Sequence, residues 1–589
     1  LDGPYTQILL DSRPIFSALS GVYGIEQIPA SMIERVEVMR GGGSALFGSS
    51  AIAGTINIIT KEPMRNSGML SHTITGIGDG DVFDNSTALN ASLVTDDQRA
   101  GLYIFGQNRH RSAYDHDGDG YSEIPKLHGQ TIGFRSFLKT TTYSKLTFEY
   151  HHMEEFRRGG DLLNRPPHEA NVAEQTEHSI NGGGLKFDYF SPNENHRFNV
   201  FASAQHINRD SYYGPGDRDP LDAYGNTTDL NWMAGSQYVY SFGKCIFMPS
   251  DLTAGIEFNQ DKLEDNMWGY NRTVDQKVNI GSAFLQNEWK NDHWGFLIGG
   301  RLDKHNLIDH VIFSPRANLR YNPTENINLR FSYSSGFRAP QAFDEDLHVE
   351  NVGGNVAMVE LADNLKEERS QSLSASADIY HRFGAFQVNF LVEGFYTKLS
   401  DVFALTDGEV VDGILTRTRH NASGAQVLGL TLEGKMAYLN KIQVQAGVTL
   451  QQSHYSKPHI WNKEAPAVKK MMRTPNTYGY FTATYTPIKP LSIALSGTYT
   501  GSMLVPHEPV PGFLENPITV NTKDFFDIGL KAAYDFKLYK SMNLQLNAGI
   551  QNIFNAYQDD FDKGADRDSG YIYGPSLPRS FFAGVKISY

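Results

Sequence analysis

The sequence has little of what several common classes of protein require. Cys245 is the only cysteine, which excludes an internal disulfide and disfavours a metal cluster held by thiolates. No run of about 18 apolar residues occurs, so a transmembrane helix is not available. The net charge is −14, which argues against nucleic-acid binding through a basic surface.

Motifs of catalysis are missing as well. No pair of histidines has the HExxH spacing of a zinc protease. The segment Gly41–Ala45 resembles a GxSxG nucleophile elbow but lacks the final glycine. We therefore expect a protein that is not an enzyme and that requires no cofactor for its activity.

What the sequence does contain is a long series of β-type segments. From Gly68 onward, apolar and polar residues alternate in segments of about ten to fifteen residues, which predicts strands with one apolar face. In the last segment, the two faces are Phe581, Ala583, Val585, Ile587 and Tyr589 against Ser580, Gly584, Lys586 and Ser588. Strands that are half apolar suit a transmembrane β-barrel, in which lipid-facing and lumen-facing residues alternate.

The connections between these segments distinguish a membrane barrel from a soluble β-sandwich. Short turns alternate with long polar loops, as expected when the short turns share one side of a membrane. The short turns are predicted at 95–98, 140–144, 191–196, 290–293, 322–326, 440–441 and 540–543, and the long loops at 112–128, 159–177, 214–229, 339–368, 457–475, 503–523 and 558–578. The count gives about 22 strands, the size of a wide, plugged barrel.

The stretch Met32–Pro63 differs from the rest of the chain. Two predicted strands, Ile33–Met39 and Ala53–Thr60, flank a loop, Gly41–Gly54, that contains five glycines. A glycine-rich hairpin of an ordinary β protein is one interpretation. A phosphate-binding loop is another, although neither a helix pattern nor a Gly-Lys-Ser/Thr sequence follows.

A third interpretation rests on a resemblance. The segments Arg40–Gly41, Ser44–Ser49 and Ala53–Lys61 resemble the second half of the plug domain of TonB-dependent outer-membrane receptors. The resemblance implies an all-β fold in the bacterial outer membrane: a 22-stranded antiparallel transmembrane β-barrel, residues 64–589, with long extracellular loops and a partial α+β plug, residues 1–63, in its lumen. Since Leu1 already lies within the plug pattern, we expect a processed or partial chain without the TonB box and the first half of the plug.

The same resemblance implies a function. Members of this family import a scarce, bulky nutrient and are energised by the periplasmic TonB complex. The plug pattern Leu9–Thr60 is most similar to those of cobalamin and haem receptors, with ferric-siderophore receptors close behind. The acidic loop Asp115–Asp119 resembles the calcium-organised outer loops of cobalamin receptors, so cobalamin is the expected ligand and the other two are alternatives. A passive porin and a surface-binding barrel are the competing classes. Outer-membrane lipid and a surface-exposed lipoprotein are further expected partners.

The family also suggests where the ligand binds. Binding at the plug apex and on the inner face of the outer loops maps to Ser20, Gly21, Val22, Tyr23, Phe47, Gly48, Ser49 and Ser50, where small residues allow close approach. The resemblance further implies that charges on the plug pair with the barrel, through Glu34, Arg35, Glu37 and Arg40. Tyr213 and Tyr224 lie deep in a predicted loop and are candidates for ligand contact, whereas aromatic residues at strand ends suit the membrane interface.

The first long loop carries a candidate calcium site. Asp115, Asp117 and Asp119 alternate ahead of a glycine, and Glu123 follows. Ca²⁺ prefers several hard oxygen ligands around a tight turn, so this order resembles the start of a calcium loop. Lys126 stands where an EF-hand has its bidentate glutamate, and a solvated acidic loop is therefore the other interpretation.

His348 is a candidate haem ligand. It lies between a Phe337–Pro340 box and an Asn-Leu box within Ala362–Ser370, a pairing that resembles haem receptors, and imidazole is a suitable axial ligand for haem iron. The first box also occurs widely in this family where a barrel strand enters a long loop. A plain loop histidine among acidic residues is therefore the alternative.

Overall fold

A computed structural model of the chain describes residues 5–13, 28–40, 43, 48–49, 51–215, 224–268, 272–340, 356–411 and 414–589. The helices among these residues are two single 3-10 turns, Ala30–Met32 and Pro167–Glu169. Neither is long and apolar enough to cross a membrane. Several predicted site residues lie outside the described ones, namely Ser20, Gly21, Val22, Tyr23, Phe47, Ser50 and His348.

The N-terminal residues form a small mixed sheet. Its strands are β1 (Thr6–Leu10), β2 (Ile33–Arg40) and β3 (Gly54–Thr60), in the order β1-β3-β2. The central strand β3 pairs in parallel with β1 and antiparallel with β2. Its sequence, GTINIIT, is rich in β-branched residues, which pack well on a pleated surface. The two strands predicted around the glycine-rich loop are therefore confirmed, with ends shifted by one residue.

The rest of the chain closes into an antiparallel barrel, which confirms the predicted 22 strands. Its long strands are β4 (Ser67–Ile77), β5 (Val82–Val94), β6 (Ala100–Arg111), β7 (Ser122–Thr141), β8 (Ser144–Gly160), β9 (Val172–Phe190), β10 (His196–Pro215), β11 (Tyr224–Cys245), β12 (Met248–Met267), β13 (Arg272–Lys290), β14 (Trp294–His305), β15 (Ile312–Thr324), β16 (Ile327–Arg338), β18 (Glu368–Phe383), β19 (Phe386–Ser400), β22 (Ala425–Tyr438), β23 (Ile442–His459), β25 (Thr477–Ile488), β26 (Leu491–Thr500), β29 (Phe525–Tyr539), β30 (Met542–Gln551) and β31 (Ser580–Ser588).

Short strands lie within the long connections. They are β17 (Val356–Leu361), β20 (Phe403–Val411), β21 (Ile414–Asn421), β24 (Val468–Lys470), β27 (Leu504–His507) and β28 (Ile518–Asn521). Of these, β24 extends the barrel sheet beside β23, and the others form two small sheets of their own. The long connections therefore carry ordered structure beyond the barrel wall.

The last barrel strand, β31, pairs with the first, β4, and this pairing closes the barrel. β31 pairs with β4 from Ser580↔Ile77 to Ser588↔Met69, so the sheet has no free edge along the barrel. The connections at 142–143, 325–326 and 540–541 are tight turns, whereas 339–367 and 552–579 are long. The tight turns at 142–143, 325–326 and 540–541 fall at one end, called the short-turn end below, and the opposite end, which carries the long connections together with a few short ones, is the long-loop end.

The outer surface of the barrel is apolar and carries aromatic residues near its ends. Trp294 stacks on Tyr321 with ring centroids 4.2 Å apart and on Phe296 at 5.7 Å, beside the short turns. Trp232 packs on Phe258 at 5.2 Å, further towards the long loops. Aromatic rings at these two levels suit the membrane–water interfaces, where one side of the ring is apolar and the other wet.

The N-terminal sheet sits inside the barrel and is fixed to the wall formed by β6, β7 and β8. Arg135 on β7 contacts the carboxylate of Asp11 and reaches Glu62 at 3.2 Å and Glu149 at 3.4 Å. The Arg135 side chain is only 10% exposed. Removing one partner from a buried ion pair typically costs about 3–5 kcal/mol, because the other charges stay buried.

Apolar contacts also hold the sheet against this wall. Leu10, Met32 and Ile58 of the N-terminal sheet cluster with Tyr103 and Phe105 of β6. The Tyr103 hydroxyl also donates a hydrogen bond of 2.6 Å to the backbone carbonyl of Ser31. This wall therefore holds the sheet through a combination of buried charges and packed rings.

On the opposite side of the sheet, the charged contacts are weaker. Arg40, at the end of β2, pairs with Glu393 on β19 at 3.1 Å and with Glu433 on β22. The Arg40 side chain is 47% exposed, and its partners Glu393 and Glu433 are 15% and 8% exposed, so water screens these pairs more than those of Arg135 and brings them closer to the ~0–1 kcal/mol of surface pairs. The charged contacts of the sheet are therefore asymmetric across the lumen, whereas apolar contacts occur on both sides, since Tyr5 and Ile52 cluster with Leu399 of β19 and with Ala425 and Val427 of β22.

This asymmetry can be measured by hydrogen exchange. We expect Arg135→Gln to lower the opening free energy of β3 by about 3 kcal/mol, because Asp11 and its neighbours lose their buried cation. The matched change Arg40→Gln should lower it by about 1 kcal/mol or less. Amide exchange of Thr55–Thr60 followed by mass spectrometry measures both, and equal effects of the two variants would contradict the asymmetry.

Candidate functional site

An aromatic cluster lies in the barrel wall at the long-loop end. Tyr212, Tyr213 and Met267 form a buried cluster, against which Tyr224 packs with its ring 4.8 Å from that of Tyr212. The Tyr224 hydroxyl lies 2.8 Å from Nδ1 of His168. Tyr213 is 3% exposed, so the structure places it inside the wall rather than on the surface that a ligand would meet.

The apex of the N-terminal sheet rests on a buried arginine. Gly48 has a φ of +81°, and a Cβ there would lie 3.3 Å from Nη2 of Arg301 on β14, so both backbone conformation and space favour glycine. Arg301 donates to Asp303 at 2.8 Å and to Glu257 at 2.6 Å. Ser49 accepts a weak hydrogen bond of 3.4 Å from the backbone N–H of Ala339.

A second contact joins the start of the chain to the barrel rim. The Tyr5 hydroxyl donates to Glu368 at 3.1 Å, and the guanidinium of Arg338 lies over the Tyr5 ring at 5.6 Å. Arg338 ends β16, and Phe337 beside it is fully buried. The Phe337–Pro340 box thus lies where a barrel strand enters a long connection and contacts the N-terminal domain.

The four charged residues proposed for pairing with the barrel behave differently. Arg40 reaches the barrel, as described above. Arg35 and Glu37 instead pair with each other at 2.8 Å, because residues two apart on a strand share a face. Glu34 is exposed and makes no ion pair within the described part of the chain.

The acidic loop after β6 is folded tightly and tied to a distant loop. Asp115 accepts from the backbone N–H groups of Gly118 at 2.7 Å and Gly120 at 2.8 Å. Arg567, from the connection between β30 and β31, contacts Asp119 and reaches Glu123 at 2.9 Å. No local pattern identifies Arg567 as a partner of this loop, since it lies more than 440 residues away.

The carboxylates of this loop fall into two groups. Oxygens of Asp115, Asp117 and Glu123 lie within 4.8 Å of one another, which suits a hard cation such as Ca²⁺. Asp119 is engaged elsewhere: burial raises its pKa, but hydrogen bonds from Gly564 and Tyr121 and the charge of Arg567 outweigh this and lower it. Three of the four predicted ligands therefore converge, and the loop contact with Arg567 uses Asp119 together with an oxygen of Glu123.

A cavity of about 440 Å³ separates the N-terminal sheet from the wall that Arg40 contacts. Met39, Arg40 and Gly43 line it on one side, and barrel strands from β15 to β25 line it on the other. The barrel side is dominated by small hydroxyl side chains and glycines: Ser332, Ser334, Ser372, Ser374, Thr397, Thr431, Thr449, Gly447 and Gly479. This polar gap lies on the side of the sheet with the weaker charged contacts.

The sequence matches two families of protein domains. Residues 68–553 match the TonB dependent receptor-like β-barrel, and residues 1–55 match the TonB-dependent receptor plug domain. The small sheet in the lumen is thus the part of the chain that contains the plug match, and it is called the plug below.

Individual relatives are more distant. The chain is 26% identical to the iron-regulated outer membrane virulence protein of Vibrio cholerae, over 60% of this chain and 53% of that protein. It is 23% identical to the vitamin B12 transporter BtuB of Vibrio vulnificus, over 57% of this chain and 52% of that protein. The chain thus spans about half the length of the curated relatives it matches.

The solved structures agree on the fold. The siderophore receptor PirA from Acinetobacter baumannii superimposes with a TM-score of 0.78 at 17% identity, covering 100% of this chain and 91% of that one. A likeness at this identity establishes architecture only. Together with the two domain matches and the closed barrel, it shows that the chain belongs to the TonB-dependent receptor family of bacterial outer-membrane proteins.

Proposed function

We propose that the protein imports a scarce, bulky nutrient across the outer membrane in a TonB-dependent manner. The observation that carries the proposal is the plug seated in the lumen by the buried Arg135 on one wall and by the half-exposed Arg40 on the other. A passive porin needs an open lumen, and a purely adhesive barrel has no need of a plug that can be displaced. The side of the plug that Arg40 holds is the part that moves when a periplasmic partner pulls.

The proposed ligand is cobalamin or a related corrinoid. Among the described residues, eight arginines and ten carboxylates are buried, so the fully buried positions carry no excess of positive charge. A net-neutral corrinoid suits such an interior better than a highly anionic ferric catecholate does, because unpaired charge is costly to desolvate. The vitamin B12 transporter among the relatives supports the same choice.

A ferric siderophore is the second candidate. It is supported by the iron-regulated relative from Vibrio cholerae and by the PirA fold likeness. Haem as a ligand rested on His348, which lies outside the described residues. The lipoprotein partner stays a prediction that rests on the length and acidity of the outer loops.

In the proposed cycle, the ligand binds between the outer loops and the plug apex held by Arg301. Binding biases the plug towards a state that the TonB complex recognises, as any ligand does that prefers one of two conformations. Force from the periplasm then opens the side held by Arg40, since its half-exposed ion pairs cost less to break than the buried ones of Arg135. Arg135 keeps the plug attached to β7 meanwhile, so that it can reseat.

Ligand identity can be tested directly on cells. We expect cells that carry the full-length protein to bind and accumulate cyanocobalamin, with accumulation but not binding lost when TonB is deleted. Ferric enterobactin and haemin, measured in the same way, serve as competing ligands. Accumulation of ferric enterobactin alone would replace cobalamin by the second candidate, and TonB-independent leakage of all three would indicate a porin.

The calcium site predicts a metal-dependent stability. After chelation, added Ca²⁺ should raise the melting temperature of the purified protein, because a ligand at about 100 times its Kd stabilises by about 2.7 kcal/mol. Asp115→Asn combined with Asp117→Asn should abolish the increase. Asp119→Asn, which breaks the Arg567 contact, should lower stability while leaving the increase intact. An increase that survives the double substitution would exclude this loop as the site.

A further inference from the structure

Three arginines line the lumen on the adjacent strands β15 and β16, between the cavity beside Arg40 and the short-turn end. Arg316 and Arg320 lie on β15 and Arg330 lies on β16, and the register places Arg320 directly opposite Arg330. Arg316 lines the cavity of about 440 Å³, and the other two line an adjoining cavity of about 290 Å³. Asn318 and Ser332 line both cavities, so the two spaces are continuous along this wall.

The hydrogen-bond partners of these arginines are neutral. Arg320 donates to the carbonyl of Asn291 at 3.0 Å, and Arg330 donates to the Asn328 side chain at 2.8 Å. In its hydrogen-bonded orientation, the Asn318 amide oxygen accepts from Arg316 at 3.1 Å.

Within the described part of the chain, none of the three arginines pairs with a carboxylate. Glu288 lines the second cavity, where its charge acts on Arg316 without a direct ion pair, and its carboxylate lies 3.5 Å from Lys290. Like charges placed directly opposite on a sheet are destabilising, so the Arg320–Arg330 pair calls for an anion that compensates it.

The spacing of the arginines produces a track rather than a single pocket. Arg316 and Arg320 are four residues apart on one strand, which separates them by about 13 Å along the wall. Gly295 leaves space beside the second cavity, since a Cβ there would lie 3.2 Å from Nε of Arg320. The track begins at the gap that Arg40 borders and continues towards the short-turn end.

We propose that Arg316, Arg320 and Arg330 form a basic track that binds the oxyanion of a passing ligand and leads it along β15 and β16 to the periplasm. This proposal rests on the proposed function and adds the route and the chemical group that is recognised. Guanidinium groups bind phosphate and carboxylate oxygens bidentately. A corrinoid offers a phosphodiester and a ferric siderophore offers catecholate or carboxylate oxygens, so the track serves either candidate.

The test separates passage from binding. We expect the triple variant Arg316→Gln, Arg320→Gln, Arg330→Gln to bind cyanocobalamin on cells like the unaltered protein and to accumulate it several-fold more slowly. The variant with three lysines instead should keep most of the accumulation, because the positive charge remains. Surface abundance and unchanged binding establish that both variants fold.

A matched control removes the same charge from another wall. Lys531, Lys537 and Lys586 occupy lumen-facing positions on β29 and β31, away from both cavities. Their replacement by glutamine should leave accumulation unchanged. Normal accumulation in the arginine variant, or an equal loss in the lysine control, would overturn the track.

A second readout does not depend on the nutrient. In the purified full-length protein, inorganic phosphate should slow the modification of Arg316, Arg320 and Arg330 by phenylglyoxal relative to chloride, with exposed Arg35 as the internal control. If the cells do not take up cyanocobalamin but phosphate still protects the three arginines, cobalamin is excluded as the ligand and the basic track stands. Absence of protection would overturn the track whatever the uptake.

Discussion

The structure depends on one constraint: within a membrane, every backbone N–H and C=O group must find its partner inside the protein. The pairing of β31 with β4 meets that constraint by closing the sheet on itself. Closure fixes the alternation of side chains, so that Leu544, Leu546 and their neighbours face lipid while Asn543, Gln545 and Asn547 face inward. A wall built in this way has a polar lumen by necessity, and a domain inside it must be held by polar contacts.

The polar lumen explains why the plug is seated as it is. A domain packed only through apolar surface would need a hydrophobic lumen, which alternating strands with a lipid-facing side do not provide. Arg135 therefore combines three carboxylates from the plug and the wall, while packed apolar side chains cover two corners, one at Tyr103 and one at Tyr5. On the other side, Arg40 is left half in water beside a cavity. One domain can thus be both retained and released, since buried and exposed ion pairs differ in strength by several kcal/mol.

The sequence predicts the parts of this arrangement that depend on local patterns. Period-two alternation identifies the strand Phe581–Tyr589, and tight polar turns identify hairpins such as that at 540–543. The glycine-rich stretch identifies the plug strands and places Gly48 where a positive φ is required. These features follow from near neighbours in the chain, which a single sequence displays.

Contacts between distant parts of the chain could not be predicted in the same way. Arg40 and Arg35 look alike in the sequence, yet only Arg40 meets barrel carboxylates, and those lie more than 350 residues away. Tyr213 looked like a loop residue because its sequence is polar and aromatic, whereas β10 extends through it and buries it. The short connections after β4, β12 and β14 were missed, because they join the long-loop ends of their strands without a long polar stretch.

Strand length adds a further asymmetry to the barrel. The strands β7 and β11 have 20 and 22 residues, whereas β30 and β31 have 10 and 9. At about 3.3 Å per residue the longer strands reach roughly 66 Å or more, well beyond a hydrocarbon core of about 30 Å. The aromatic cluster of Tyr212 and Tyr224 stands on this tall side, whereas the cavity beside Arg40 borders shorter strands such as β15 and β25. A ligand that binds against the tall wall would therefore have to cross the plug apex before it leaves along the wall of shorter strands. The apex contact of Arg301 with Gly48 lies between these two walls.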